Sequence, residues 1–99
     1  FMRTLSDKYV EILRENLPVI HDRYNVKNIG IFGSRVRDDH VGSSDLDVLV
    51  DFERTVDYFE FLDLEEYLSE LLCVTVDLVE RQALKPHIGT RILSEVVMI

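Results

Sequence analysis

The sequence predicts a small α/β protein in which a mixed β-sheet carries its helices mainly on one face. Two β-branched, apolar stretches, Val26 to Phe32 and Leu46 to Phe52, predict strands. The polar segment between them is too short for a helical crossover, so these strands are expected to be antiparallel neighbours. A helical pattern over Val56 to Leu72 separates the second strand from a third, Val74 to Val79, and those two are expected to be parallel.

The remaining elements follow from apolar spacing and from proline. Apolar residues at helical spacing predict a first helix over about Ser6 to Arg23, which Pro18 kinks or interrupts. Pro86 suits the first turn of a last helix that runs to about Glu95. Val96 to Ile99 is either a short strand or an apolar tail. The expected architecture is a three-stranded mixed sheet with helices on one face.

Length and charge limit the classes of function. The 99 residues fit one domain, residues 1–99, and carry a formal net charge of −8. No basic residue occurs between Arg54 and Arg81, which disfavours direct nucleic-acid binding because such binding needs clustered Lys and Arg. This acidic stretch is either a solvated helix face or a docking surface for a basic protein partner.

The chain shows no apolar run near the roughly 20 residues of a membrane-spanning helix, and its N-terminus lacks a signal-peptide pattern. A cytoplasmic protein without membrane contact is therefore expected. The single cysteine, Cys73, fits a reducing compartment, and its apolar neighbours predict a small buried hydrophobe. The apolar stretch Val96 to Ile99 suggests an interface in a homo- or hetero-oligomer.

The first candidate site is a phosphate cradle at the end of the first strand. Gly33 allows close backbone approach, and Ser34 offers a hydroxyl and an amide. A helical turn over Arg35 to Asp39 would aim free N–H groups at the same point. Arg35 and Arg37 can pair with phosphate oxygens through their guanidinium groups. The alternatives are an ordinary turn and exposed surface arginines.

The second candidate site is a cluster of carboxylates. Asp45 and Asp47 lie two residues apart and are expected on one strand face, where they repel each other unless a cation neutralises them. Hard oxygen ligands suit Mg²⁺. Asp77 lies in an otherwise apolar strand and can join them. The alternatives are a polar strand entrance for Asp45 and a salt bridge or exposed edge position for Asp77.

Taken together, these motifs resemble a known family. Gly33-Ser34, a spacer of ten residues, Asp45-x-Asp47 and a later Asp77 resemble the DNA polymerase β-like nucleotidyltransferase superfamily. The wording of the motifs is similar to that of the minimal nucleotidyltransferases, specifically the MntA-type antitoxins that accompany HEPN-domain toxins. The resemblance covers nearly the whole chain and implies the polymerase β-like nucleotidyltransferase fold.

The resemblance also implies the reaction and the nucleotide site. Such antitoxins use ATP and Mg²⁺ to transfer AMP to a tyrosine hydroxyl of a partner HEPN ribonuclease, which neutralises that toxin. Carried over by position, Gly33 and Ser34 hold the triphosphate, and the neighbouring nucleotide-binding positions are Arg35, Arg37 and Ser44. Relatives usually carry Gly where this chain has Asp38.

The same resemblance assigns the metal and catalytic roles. Asp45 and Asp47 are implied to bind Mg²⁺, as one ion or two. Asp77 is implied to assist with the second metal and to help deprotonate the incoming hydroxyl. Two further functions stay open: a non-catalytic antitoxin that neutralises its partner by binding, and a nucleotidyltransferase subunit that acts on RNA or a small molecule.

Overall fold

A four-stranded mixed sheet forms the centre of the protein. The computed structural model describes residues 5–32, 45–84, 89–90 and 95–99. The sheet order is β3-β2-β1-β4, in which β1 and β2 are antiparallel, β2 and β3 are parallel, and β1 and β4 are antiparallel. The predicted pairing of the first three strands is confirmed. The strands are β1 (Val26–Phe32), β2 (Leu46–Phe52), β3 (Val76–Glu80) and β4 (Val97–Met98).

The prediction of three strands is wrong because the apolar end of the described chain adds β4. Met98 pairs with Gly30, and Val97 pairs with Ile31. A Cβ on Gly30 would lie only 2.7 Å from the Met98 sulfur, so glycine at this position allows β4 to pack closely against β1. Of the two possibilities for this segment, strand and apolar tail, the strand is the one observed.

Two helices replace the single predicted N-terminal helix. They are α1 (Leu5–Glu15) and α2 (Leu17–Tyr24), and they are separated by Asn16, whose side-chain amide donates to the Ile12 carbonyl at 2.8 Å. Pro18 lies in the first turn of α2, where its missing N–H has no helical partner to lose. The predicted interruption at Pro18 is therefore confirmed.

A long helix, α3 (Tyr58–Leu72), connects β2 to β3, and a short 3₁₀ turn (Arg81–Ala83) follows β3. The helix begins two residues after the predicted start at Val56 and ends at the predicted residue. In the last predicted helix, Gly89, Thr90 and Glu95 are helical. The predicted helical turn over Arg35 to Asp39 lies outside the described residues.

The helices cover one face of the sheet, as predicted. Alternate residues of the strands point into a single core with the apolar sides of α1, α2 and α3. The opposite face of β2 carries Asp47, Leu49 and Asp51; it is called the open face because both aspartates are partly exposed there, whereas Leu49 is only 2% exposed. The buried core consists of Tyr9, Leu13, Ile20, Val26, Ile29, Ile31, Leu46, Val48, Val50, Phe52, Leu64, Leu68, Leu72, Val76 and Leu78.

The outer edge of β3 is covered by side chains of α3. The Val76 N–H donates to the Ser69 hydroxyl at 3.0 Å, and the Leu78 N–H donates to the Glu65 carboxylate at 2.9 Å. These bonds satisfy edge groups that would otherwise be free to pair with another strand. They also hold β3 in register against β2, which fixes Asp77 on the open face.

The structure overturns the prediction that Cys73 is buried. Cys73 ends α3 in the left-handed conformation, with φ of 55°, and its side chain is exposed. Its N–H donates to the Ser69 carbonyl, so the residue serves to terminate the helix. Of the helices in the part of the chain that the structure describes, none has both the length and the apolar composition of a membrane span.

Candidate active site

Two of the predicted site residues lie side by side on adjacent strands. In the register of β2 with β3, Asp47 is the direct partner of Asp77. Neighbouring strands are about 4.8 Å apart, and residues in register point to the same face, so both carboxylates project from the open face. On the other side of Asp47, its register partner is Phe32, the last residue of β1. The site is therefore a row across three strands.

Asp45 lies immediately before β2, where the sheet ladder has already begun. The N–H of Leu46 donates to the Thr75 carbonyl at 2.9 Å, which ties the start of β2 to the start of β3. Asp45 is exposed, and so is Asp77, whereas Asp47 is half-buried between them. The structure thus brings the three predicted carboxylates to one end of the sheet.

The charges in this cluster oppose one another. Burial raises the pKa of Asp47 above its usual range, and the carboxylates of Asp77 and Asp45 raise it further. Asp77 is exposed, which was one of the alternatives to a metal role. It nevertheless lies beside Asp47 in the β2–β3 register and therefore belongs to the carboxylate cluster.

This arrangement is compatible with a cation shared between protein and substrate. Within the described ranges, no group of three or more His, Cys, Asp or Glu side chains is arranged to hold a metal ion by itself. Mg²⁺, however, is usually bound through one or two carboxylates, with waters and substrate phosphates as further ligands. Asp47 and Asp77, whose mutual repulsion a cation would relieve, fit that description.

The predicted phosphate cradle follows directly in sequence from the Asp47 row, because Gly33 is bonded to Phe32. The predicted nucleotide-binding residues all lie outside the described residues, as does Asp38, and their roles stay predictions. These residues are Gly33, Ser34, Arg35, Arg37 and Ser44.

A second polar group lies further along the same face and was missed by the sequence analysis. Asp51 accepts a hydrogen bond from the Asn28 amide at 3.4 Å and lies 3.8 Å from the Arg81 guanidinium. The available signal was the alternation along β2, since Asp47, Leu49 and Asp51 share one face. Asn28 and Arg81 are brought there by strand pairing and carry no local signal.

Comparison with known proteins supports a functional assignment. Residues 6–99 match the family model described as nucleotidyltransferase domain. The chain is 43% identical over 88 residues to the protein adenylyltransferase MntA of Thermococcus cleftensis, an alignment that covers 89% of each chain. The family resemblance stated from the motifs is thereby confirmed.

Solved structures give the same fold. A structure provisionally named as a minimal nucleotidyltransferase superposes with a TM-score of 0.77 at 29% identity, covering 96% of this chain and 95% of that chain. A substituted form of the toxin–antitoxin pair MntA–HpeT superposes with a TM-score of 0.61 at 25% identity, covering 94% of this chain and 68% of that one. The predicted fold class is confirmed.

Proposed function

Because the chain belongs to the nucleotidyltransferase domain family, we propose that it is a protein adenylyltransferase of the antitoxin type. Its substrates are ATP with Mg²⁺ and a tyrosine hydroxyl on a partner HEPN toxin, which the modification neutralises. The observation that carries the proposal is the register of β2 and β3, which places Asp47 beside Asp77 on the open face. The kinship to a protein adenylyltransferase at 43% identity supports the choice of a protein acceptor.

The carboxylates have separate roles in this proposal. Asp45 and Asp47 would hold Mg²⁺, which neutralises charge on the phosphates when bound. Gly33 and Ser34, with Arg35 and Arg37, would hold the triphosphate. Transfer of a nucleotidyl group depends mainly on positioning of the reactants and on neutralisation of the phosphate charge. Acidic residues at the end of one sheet would hold the cation that neutralises this charge.

Asp77 would assist in holding a second metal ion and would also act on the acceptor. The tyrosine oxygen forms a bond to the α-phosphorus of ATP, the bond from that phosphorus to the bridging oxygen breaks, and pyrophosphate leaves with that oxygen. The phenolic proton passes to the Asp77 carboxylate, which is exposed and therefore accessible to an incoming side chain. Asp47 is less accessible than Asp77 and is better placed to hold Mg²⁺ together with Asp45.

The test uses ATP labelled at the α-phosphate, Mg²⁺ and the product of the adjacent gene. Label should appear on a tyrosine of the partner. Changing both Asp45→Asn and Asp47→Asn should reduce labelling by at least a hundredfold, on the order of the loss seen when a transition-state charge is left unsupported. Asp22→Asn, an exposed residue on α2, removes one charge outside the cluster and should leave labelling unchanged.

A second candidate function is neutralisation by binding alone, and a surface observation favours it. Tyr58 and Phe59 at the start of α3 are 69% and 76% exposed. Beside them α3 presents an exposed acidic stripe, defined as Asp63, Glu66 and Glu70. Exposed aromatic residues beside charge are typical of protein-binding surfaces. If the protein with both Asp45→Asn and Asp47→Asn still neutralises the toxin while no label appears on the toxin, neutralisation by binding is established and the enzymatic proposal is refuted.

The third function, transfer to RNA or a small molecule, is separated in the same assay. Label recovered on RNA or on a small molecule, with none on the partner protein, would assign the acceptor to that class.

A further inference from the structure

A cavity of about 190 Å³ opens on the same sheet face as Asp47, further along β2. Its floor includes Leu49, which is two residues beyond Asp47 and points to the same face. At about 3.3 Å per residue, Leu49 lies roughly 7 Å and Asp51 roughly 13 Å from Asp47 along the strand. A nucleotide whose phosphates lie near Asp47 can therefore reach the cavity with its base.

The cavity is small and largely apolar. Its volume is below the roughly 300–1,000 Å³ typical of pockets for whole drug-sized ligands, so it suits one ring system. Val96 and Met98 form one side, and Gly30 makes their position possible, since a Cβ there would lie 2.8 Å from Val96 and 2.7 Å from Met98.

One carboxylate gives this cavity its polarity. The Asp51 side chain is only 15% exposed, and among the residues that the structure describes it lies 3.4 Å from the Asn28 amide and 3.8 Å from the Arg81 guanidinium, both long distances for such contacts. An ionised carboxylate can accept hydrogen bonds from about four donors, so the contacts with Asn28 and Arg81 leave Asp51 able to accept a further hydrogen bond from a ligand. The Arg81 side chain is 51% exposed, and its planar guanidinium can stack on a ring.

We propose that this cavity binds the adenine base of ATP, with the exocyclic amino group donating a hydrogen bond to Asp51. The inference rests on the proposed function for the position of the phosphates. Adenine presents an amino donor at the position where hypoxanthine presents a carbonyl acceptor. A carbonyl oxygen facing the Asp51 carboxylate would leave two acceptors opposed, so the site should bind inosine triphosphate more weakly than ATP.

The test measures binding of ATP and of inosine triphosphate by calorimetry, with Mg²⁺ and without partner protein or turnover. Wild-type protein should bind ATP about tenfold or more tightly than inosine triphosphate, in line with hydrogen bonds to a charged group. Asp51→Asn supplies an amide that can donate to the carbonyl, so it should abolish or invert that preference. Glu53→Gln, exposed just beyond β2, removes the same charge outside the cavity and should keep the preference.

A variant of the apolar wall tests the position of the base independently. Met98→Ala trims a side chain that is 46% exposed, so the fold is expected to tolerate it. It should weaken ATP and inosine triphosphate by the same factor and leave their ratio unchanged. Unchanged affinity for both nucleotides would place the base elsewhere.

The outcomes separate this inference from the proposed function. Equal binding of ATP and inosine triphosphate by wild-type protein, or an Asp51→Asn variant with the wild-type preference, would each overturn the base site while leaving transfer to the partner possible. Selective ATP binding that depends on Asp51, without any transfer of label to protein, would support the base site while refuting the proposed acceptor.

Discussion

Burial raises the pKa of the half-buried Asp47 carboxylate, and the carboxylates of Asp77 and Asp45 that it faces raise this pKa further. An unfolded chain would release the Asp47 proton near the ordinary value of 3.8, whereas the folded chain retains it to higher pH. Ionisation of Asp47 therefore opposes folding, and the penalty is fully present at neutral pH. A residue that destabilises the fold in this way is typical of a site that binds a cation.

Replacing Asp47 should stabilise the protein at neutral pH. Between the unfolded and the folded pKa, the folded state binds more protons, so wild-type stability falls as pH rises through that window. Asp47→Asn lacks this loss. Urea unfolding should therefore show Asp47→Asn to be more stable than wild type near neutral pH, with the difference vanishing below the ordinary pKa of 3.8.

The control is Asp22→Asn, which removes a charge from the exposed side of α2. It should lack the specific advantage of Asp47→Asn at neutral pH. If Asp47→Asn is less stable than wild type at neutral pH, the carboxylate contributes favourable interactions that outweigh its repulsion, and the cluster is not strained as described.

At the scale of elements, local chemistry predicted most of the secondary structure. The bounds of β1 and β2 follow from segments rich in β-branched and apolar residues, and Leu72 ends α3 as predicted. Non-local pairing explains the errors. Val97–Met98 becomes a strand only because Gly30 accommodates it, and Cys73 is exposed because helix termination overrides its apolar neighbours.

The start of α3 depends on a reciprocal pair of hydrogen bonds. The Glu60 N–H donates to the Asp57 carboxylate at 2.8 Å, and the Asp57 N–H donates to the Glu60 carboxylate at 3.3 Å. Arg54 also contacts Glu60, at 2.9 Å. This capping box satisfies backbone donors that the helix cannot pair internally.

Asp57→Ala should lower the free energy of unfolding by about 1 kcal/mol, the usual cost of losing such a cap. Chemical denaturation measures the change. Asp63→Ala removes the same charge from the exposed side of α3 beyond its first turn and should cost much less. Equal losses in the two variants would mean that the charge, rather than the cap, supports α3.

At the scale of the whole molecule, the two faces of the sheet have different roles: one face packs into the core and the other carries the candidate site. Its covered face supplies the core, and its open face carries Asp47, Asp77 and the cavity beside Asp51. The three carboxylates could be predicted because Asp-x-Asp and an aspartate within an apolar strand are local signals. Asn28 and Arg81 could not, because strand pairing alone brings them to Asp51.

The distribution of charge leads to a prediction about the partner complex. The net charge is −8, and the acidic stripe of α3 lies in a stretch without any basic residue. If a basic partner docks there, raising the salt concentration from about 0.01 M to 0.1 M should weaken the complex, because the screening length falls from about 30 Å to about 10 Å. Neutralising the stripe with Asp63→Asn, Glu66→Gln and Glu70→Gln should weaken binding and flatten its salt dependence.

The control for the stripe removes equal charge from other exposed positions, through Glu15→Gln, Asp22→Asn and Glu53→Gln. Long-range attraction depends on net charge and falls equally in both triple variants, whereas direct docking depends on position. Dissociation rates measured over a range of salt concentrations should therefore rise for the stripe variant and stay near wild type for the control. Equal dissociation rates in the two variants would show that α3 is a solvated acidic face and that the partner docks elsewhere.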